Sequence, residues 1–201
     1  DPGYHIYYGA GMVDLTPFRI NEISFPDDNF RKYIIDAGFD ADHDGMRSEE
    51  ERKKATRIEC PEMSISSLKG IEYFTSAESL DCHKNNLTSL DLGSNTALTY
   101  LNCNDNKLSS LDVRKNTALK RLYCYRNLLT SLSFTNNPML EELCCQENQI
   151  SSLDVTMNTA LATLLCDKNQ IGSLDLSNNT VLVWLDCSAN QLTNLDLNNH
   201  P

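Results

Sequence analysis

The chain has 201 residues, a formal net charge of −11 and a sequence pI near 4.7. Such an acidic surface repels phosphate backbones and excludes nucleic acid as a partner. No apolar run approaches the ~20 residues a membrane span needs, so this segment is not expected to insert into a bilayer.

Residues 1–25 are rich in Tyr, Gly and Pro and read as an irregular, partly extended lead-in. After Phe25-Pro26-Asp27-Asp28-Asn29, the residues Phe30, Tyr33, Ile34 and Phe39 fall on helical spacing behind acidic and Asn capping residues. A second short helix is predicted at about 48–57, where Ser48 and Glu51 form a capping box. Between the two helices runs Asp40-Ala41-Asp42-His43-Asp44-Gly45-Met46-Arg47-Ser48-Glu49-Glu50-Glu51, the twelve-residue calcium loop D-x-D-x-D-G-x-x-S-x-x-E of an EF-hand. In that reading Asp40, Asp42 and Asp44 give carboxylates, Met46 its backbone carbonyl, Ser48 a direct or water-mediated contact, and Glu51 a bidentate grip. Gly45 allows the sharp turn, and Phe39 is the anchoring hydrophobe. Position eight, aliphatic where two hands pair, is Arg47, and no second loop exists. A lone hand is expected to hold Ca2+ as a structural clip rather than as a switch.

From Ile58 the chain repeats. Cys82, Cys103, Cys124, Cys145, Cys166 and Cys187 follow one another at 21-residue spacing, and Cys60 leads them by 22. The register is L-x-C-x-x-N-x-L-x-x-L-D-L-x-x-N-x-x-L, with Asn85 to Asn190 in one asparagine column and Asn95 to Asn179 in another. One turn of this length cannot bury its own apolar side, whereas stacked turns share a continuous core. In L-x-C the Leu and Cys point inward and the middle residue outward, because strand side chains alternate. The asparagines are expected to turn the chain and hydrogen-bond buried backbone groups. The other side of each coil is expected to form short extended or 3₁₀ segments. Ladder thiols in apolar surroundings are inert and poorly placed for disulfides, and no C-x-x-C zinc pair is present. Cys144 occupies the outward position between Leu143 and Cys145 and is expected to be exposed. The fold expected is thus a leucine-rich-repeat solenoid of residues 58–201, with a parallel β-sheet face and a cysteine ladder. A lead-in and helix-loop-helix cap of residues 1–57 precedes it. The half-turn from Leu192 stops at Asn-Asn-His-Pro, and the natural chain is expected to continue.

The cysteine-bearing repeats, with segments such as Ser110-Leu111-Asp112-Val113 and Asn116-Thr117-Ala118-Leu119, resemble the internalin J type of bacterial leucine-rich repeat. The lead-in F-P-D-D-N-F-R, F-D-A-D-H-D-G and S-S-L-K-G-I-E-Y-F resembles the N-terminal region of many secreted repeat proteins of gut bacteria. Together these resemblances cover about residues 25–201 and imply a secreted or cell-surface protein that adheres to host or microbial ligands. Internalins also carry, as a rule, a trailing immunoglobulin-like region, which has no counterpart in this sequence.

On the sheet face, Tyr100, Arg121, Tyr123 and Tyr125 form a dense outward patch with Arg126 at its rim, and Trp184 faces outward further along. These residue types are enriched at binding hot spots, although aromatics also suit strands structurally. The function expected is an extracellular interaction module, acting as a monomer on a protein or glycan. The alternative is a structural stalk that presents another domain. No enzyme is expected: outside the calcium loop there is no acid pair, nucleophile–base arrangement or phosphate loop, and His5, His43, His83 and His200 are scattered.

Overall fold

The structure is a computed structural model that describes residues 25–39 and 49–198, together with the backbone of two short strands near the start. Those strands, β1 (Ile6–Tyr8) and β2 (Gly11–Val13), pair antiparallel with Tyr7 opposite Met12. The lead-in is therefore more regular than its composition indicates. Helix α1 (Asp28–Asp36) follows the N-cap Asp27 and buries Phe30 and Ile34. Helix α2 (Glu49–Lys54) is shorter than the sequence predicts, because the chain must be extended by Arg57 to enter the sheet.

Seven three-residue strands then form one parallel sheet in chain order: β3 (Arg57–Glu59), β4 (Ser79–Asp81), β5 (Tyr100–Asn102), β6 (Arg121–Tyr123), β7 (Glu142–Cys144), β8 (Thr163–Leu165) and β9 (Trp184–Asp186). Pairing is in register, so Leu101 lies opposite Leu80 and Leu122. Each strand centres on an inward Leu, or on Ile58 in β3, and the ladder Cys is the first residue past the strand. The Cys N–H still bonds to the following coil, as from Cys103 to the Tyr123 carbonyl at 2.8 Å. Sequential parallel strands one coil apart are the geometry of a leucine-rich-repeat solenoid, and that is the fold of this chain.

The first asparagine column holds the coils together. Asn127 donates from Nδ2 to the carbonyls of Cys103, Cys124 and Tyr125 at 3.0, 3.1 and 3.3 Å, and its Oδ1 accepts the Leu108 N–H at 2.9 Å. Asn106, Asn148, Asn169 and Asn190 repeat this set. The amide thus bonds between coils as well as within its own. The residue before each asparagine (Lys84, Asp105, Arg126, Glu147, Lys168, Ala189) takes a left-handed conformation with φ between 50° and 55°, which turns the strand into the next arc of the coil.

Opposite the sheet the coil is a chain of tight turns. A 3₁₀ turn appears at Ile71–Tyr73. In the later coils, i to i+3 bonds such as Asn95 N–H to Leu92 carbonyl and Leu98 N–H to Asn95 carbonyl take its place. Asp91, Asp112, Asp154 and Asp175 each accept the N–H two residues on. These side-chain bonds compete with helical ones and keep the back of the coil as turns.

The cap sits on the first coil. Phe25, Phe30 and Phe39 join Phe74 and Tyr33 in an aromatic cluster, with Phe39 and Phe74 ring centroids 5.7 Å apart. Gly70 has φ +107°, and a Cβ there would lie 2.4 Å from the Phe25 ring, so only glycine lets the cap close. One core cluster runs from Phe25 to Leu182. At the far end Leu185, Cys187, Leu192 and Leu195 are half-buried, and Val183 is 78% exposed.

Candidate interaction face

The sheet face is built by the alternation of the strands. Three outward columns cross it: Ser79-Tyr100-Arg121-Glu142-Thr163-Trp184, Asp81-Asn102-Tyr123-Cys144-Leu165-Asp186, and His83-Asn104-Tyr125-Gln146-Asp167-Ser188. The structure brings Tyr100, Arg121, Tyr123, Tyr125 and Arg126 together on β5, β6 and the turn that follows. The Tyr100 and Tyr123 rings lie 5.6 Å apart at 52°, and the Arg126 guanidinium stands 6.0 Å from the Tyr125 ring centre. Trp184, 67% exposed, is on β9, three strands from that patch, and does not belong to it.

Three outward positions are buried, and for Cys144 this departs from the sequence expectation. Cys144 is only 4% exposed, because in-register Tyr123 and Leu165 cover it from both sides. Asn102 and Asn104 are 9% and 4% exposed and build a polar floor beside the tyrosines. Asn102 donates to Asp81 Oδ2 at 3.3 Å, while its own Oδ1 accepts the Asn104 side-chain amide. Asp81 Oδ1 also meets His83 Nδ1 at 2.6 Å. The sequence places His83 near Asp81, but the amide network linking them to β5 depends on packing between coils.

A fourth column, at the left-handed position, alternates in sign: Glu62, Lys84, Asp105, Arg126, Glu147, Lys168. Ion pairs join Glu62 to Lys84 at 2.8 Å, Arg126 to Asp105 at 3.6 Å and to Glu147 at 3.2 Å, and Lys168 to Glu147 at 3.1 Å. The 21-residue phase of those charges from Lys84 onward is the signal that could have revealed it.

Electrostatics follow burial. Burial raises the Cys60, Cys103 and Cys166 thiols to about 12, and Cys82, Cys124 and Cys145 go well above their ordinary range for the same reason. All eight cysteines are free thiols. Cys144 is also raised to about 12, by burial and then by Glu142, so the outward position gives it no thiolate character. Burial and a hydrogen bond to Glu142 push the Tyr123 phenol up. Burial raises Asp167, and neighbouring Asp186 adds to it.

Of the predicted calcium ligands, Asp40, Asp42, Asp44, Met46 and Ser48 lie outside the described residues. Glu51 is described and sits buried in α2. Among the described residues no cluster of three or more His, Cys, Asp or Glu side chains could hold a metal, and no helix is long and apolar enough to cross a membrane.

The buried thiols, asparagine columns and parallel strands define a cysteine-ladder type of leucine-rich-repeat solenoid. Over 72 residues the chain is 42% identical to internalin J of Listeria monocytogenes serotype 4b (strain F2365), a match spanning 36% of this chain and 8% of that protein. The functional domain of InlJ from Listeria monocytogenes, which includes a cysteine ladder, is similar at a TM-score of 0.55 and 34% identity, over 87% of this chain and 48% of that one. A leucine-rich-repeat protein of Leptospira interrogans is similar at a TM-score of 0.59 and 28% identity, over 63% of this chain and 35% of that one. The chain therefore spans under half the length of these relatives. No protein-family model matches it.

Proposed function

We propose that this chain is a secreted or cell-surface interaction module that binds an extracellular protein or glycan, as a monomer, through the sheet face at β5 and β6. The observation that carries the reading is the patch itself: three tyrosines and two arginines on neighbouring coils, standing on a rigid ladder. Amphipathic aromatics held by a preorganised backbone lose little entropy on binding. The likeness to internalin J supports an interaction scaffold rather than an enzyme.

The loop Asp40–Glu51 is proposed to hold Ca2+ through Asp40, Asp42, Asp44, Met46, Ser48 and Glu51. In support, Glu51 falls in the first turn of α2, where the twelfth loop position of an EF-hand lies. Titrating Ca2+ into chelator-treated protein is expected to raise the melting temperature, and Glu51→Gln to cancel the rise. A flat titration in the native protein rejects the metal.

The binding reading is tested by screening the domain against arrays of extracellular proteins and glycans. Saturable binding is expected, and its absence from every surface moves the chain to the class of structural stalks.

A further inference from the structure

Between β4 and β6 every cation on the face is paired. Lys84 pairs with Glu62, Arg126 with Asp105 and Glu147, and Arg121 with Glu142 at 3.8 Å, while Asp81 holds the His83 imidazole. Each cation of these columns, Lys84, Arg121 and Arg126, has a carboxylate partner within 4.0 Å, so an acidic ligand finds no free cation there. The contact groups left are aromatic faces and amides. Tyr100 and Tyr123 form one tilted pair, and Tyr125 stands one residue beyond the inward Cys124. Beside them lies the floor of Asn102 and Asn104. Asn104 follows the inward Cys103 and so projects to the face, is 4% exposed, and leaves its Oδ1 without a donor.

We infer that this stretch is a carbohydrate subsite for a neutral sugar ring, which stacks on Tyr123 and hydrogen-bonds through its hydroxyls to the Asn102–Asn104 amides and the Asp81–His83 pair. The inference rests on the sheet face being the binding surface and narrows the ligand to one class. A pyranose offers an apolar C–H face to an aromatic ring and equatorial hydroxyls that both donate and accept. It carries no charge, which suits a patch whose cations are already paired, on a protein of net charge −11. Acidic sugars would meet repulsion instead.

The test is an array of neutral oligosaccharides ending in galactose, glucose, mannose or N-acetylhexosamine, beside their sialylated and sulfated counterparts and a panel of extracellular proteins. At least one neutral glycan is expected to bind saturably and to be displaced by its free sugar. Tyr123→Ala should weaken that binding at least ~tenfold, and Tyr123→Phe, which keeps the ring, by less than ~threefold. Thermal melts confirm that each variant folds; if Tyr123→Ala does not, Tyr125→Ala gives the same reading. Binding only to sialylated or sulfated glycans, or neutral binding untouched by both alanine variants, overturns the inference. Protein binding lost in the variants with no glycan bound also overturns it, yet leaves the proposed function standing. No binding of either kind removes both.

Discussion

The Glu59 backbone N–H donates to the Tyr33 hydroxyl at 2.7 Å, so a side chain of α1 takes the place of a neighbouring strand at the N-terminal edge of the sheet. Open sheet edges template aggregation, and solenoid ends need a cover. Burial raises the Tyr33 phenol to about 12, so it stays a neutral hydroxyl throughout the physiological range. Tyr33→Phe keeps the ring against Phe30 and Phe39 and removes only the acceptor. The expected loss is about 1 kcal/mol in urea denaturation, with an unchanged m-value.

Asp27 ties the cap to the coil. Its Oδ1 accepts the Asn29 and Phe30 N–H groups at 3.0 Å, and its Oδ2 accepts the Ser66 N–H and hydroxyl and the Ser67 N–H. Burial opposes ionisation, but those bonds outweigh it and hold the carboxyl below its ordinary value of 3.8. A depressed folded-state value means the contribution is complete above the ordinary carboxylate range and is lost as the pH falls through the folded value. Asp27→Ala is expected to cost about 1 kcal/mol at pH 7. The gap to the parent should close in melts run well below pH ~4. An equal gap at both pH values contradicts this role.

The two asparagine columns are predicted to differ in weight. Asn127 makes four backbone bonds, whereas Asn137 donates two, to the Val113 and Asn116 carbonyls, and its Oδ1 has no partner. Removing Asn127 strands more buried backbone groups, each costing about 1–3 kcal/mol. Asn127→Ala should therefore lower the denaturation midpoint more than Asn137→Ala, and the reverse order would refute the accounting of bonds.

Much of this was legible in the sequence, and the reason is periodicity. A residue type recurring every 21 positions fixes strand, ladder and inward face at once, which is why the leucine, cysteine and asparagine columns are where the pattern puts them. What the pattern hides is set by neighbours one coil away. Cys144 reads as outward and is outward, yet Tyr123 and Leu165 bury it. The Asp81–Asn102 bond likewise joins residues 21 positions apart in the chain. Along α1, Phe30 and Ile34 announce the buried side, but nothing in the sequence pairs Tyr33 with Glu59.

The ladder thiols fill an apolar column without useful acceptors. Cys124→Ala should cost less than Cys124→Ser, the serine losing about 1–3 kcal/mol more because its hydroxyl is buried. A thiol-labelling time course on the native protein should modify half-buried Cys187 first and leave Cys144 protected with the rest. Early labelling of Cys144 would contradict its burial.

The central claim is that ligand recognition sits on the sheet face at β5 and β6. It is tested most directly by comparing, on one ligand found by the array screen, Tyr123→Ala/Tyr125→Ala with Asp154→Ala/Asp175→Ala on the opposite side of the coil. The account predicts at least ~tenfold weaker binding for the tyrosine pair at unchanged melting temperature, and no change for the aspartate pair. Equal affinity for parent and tyrosine variant, or a loss confined to the aspartate variant, would contradict it.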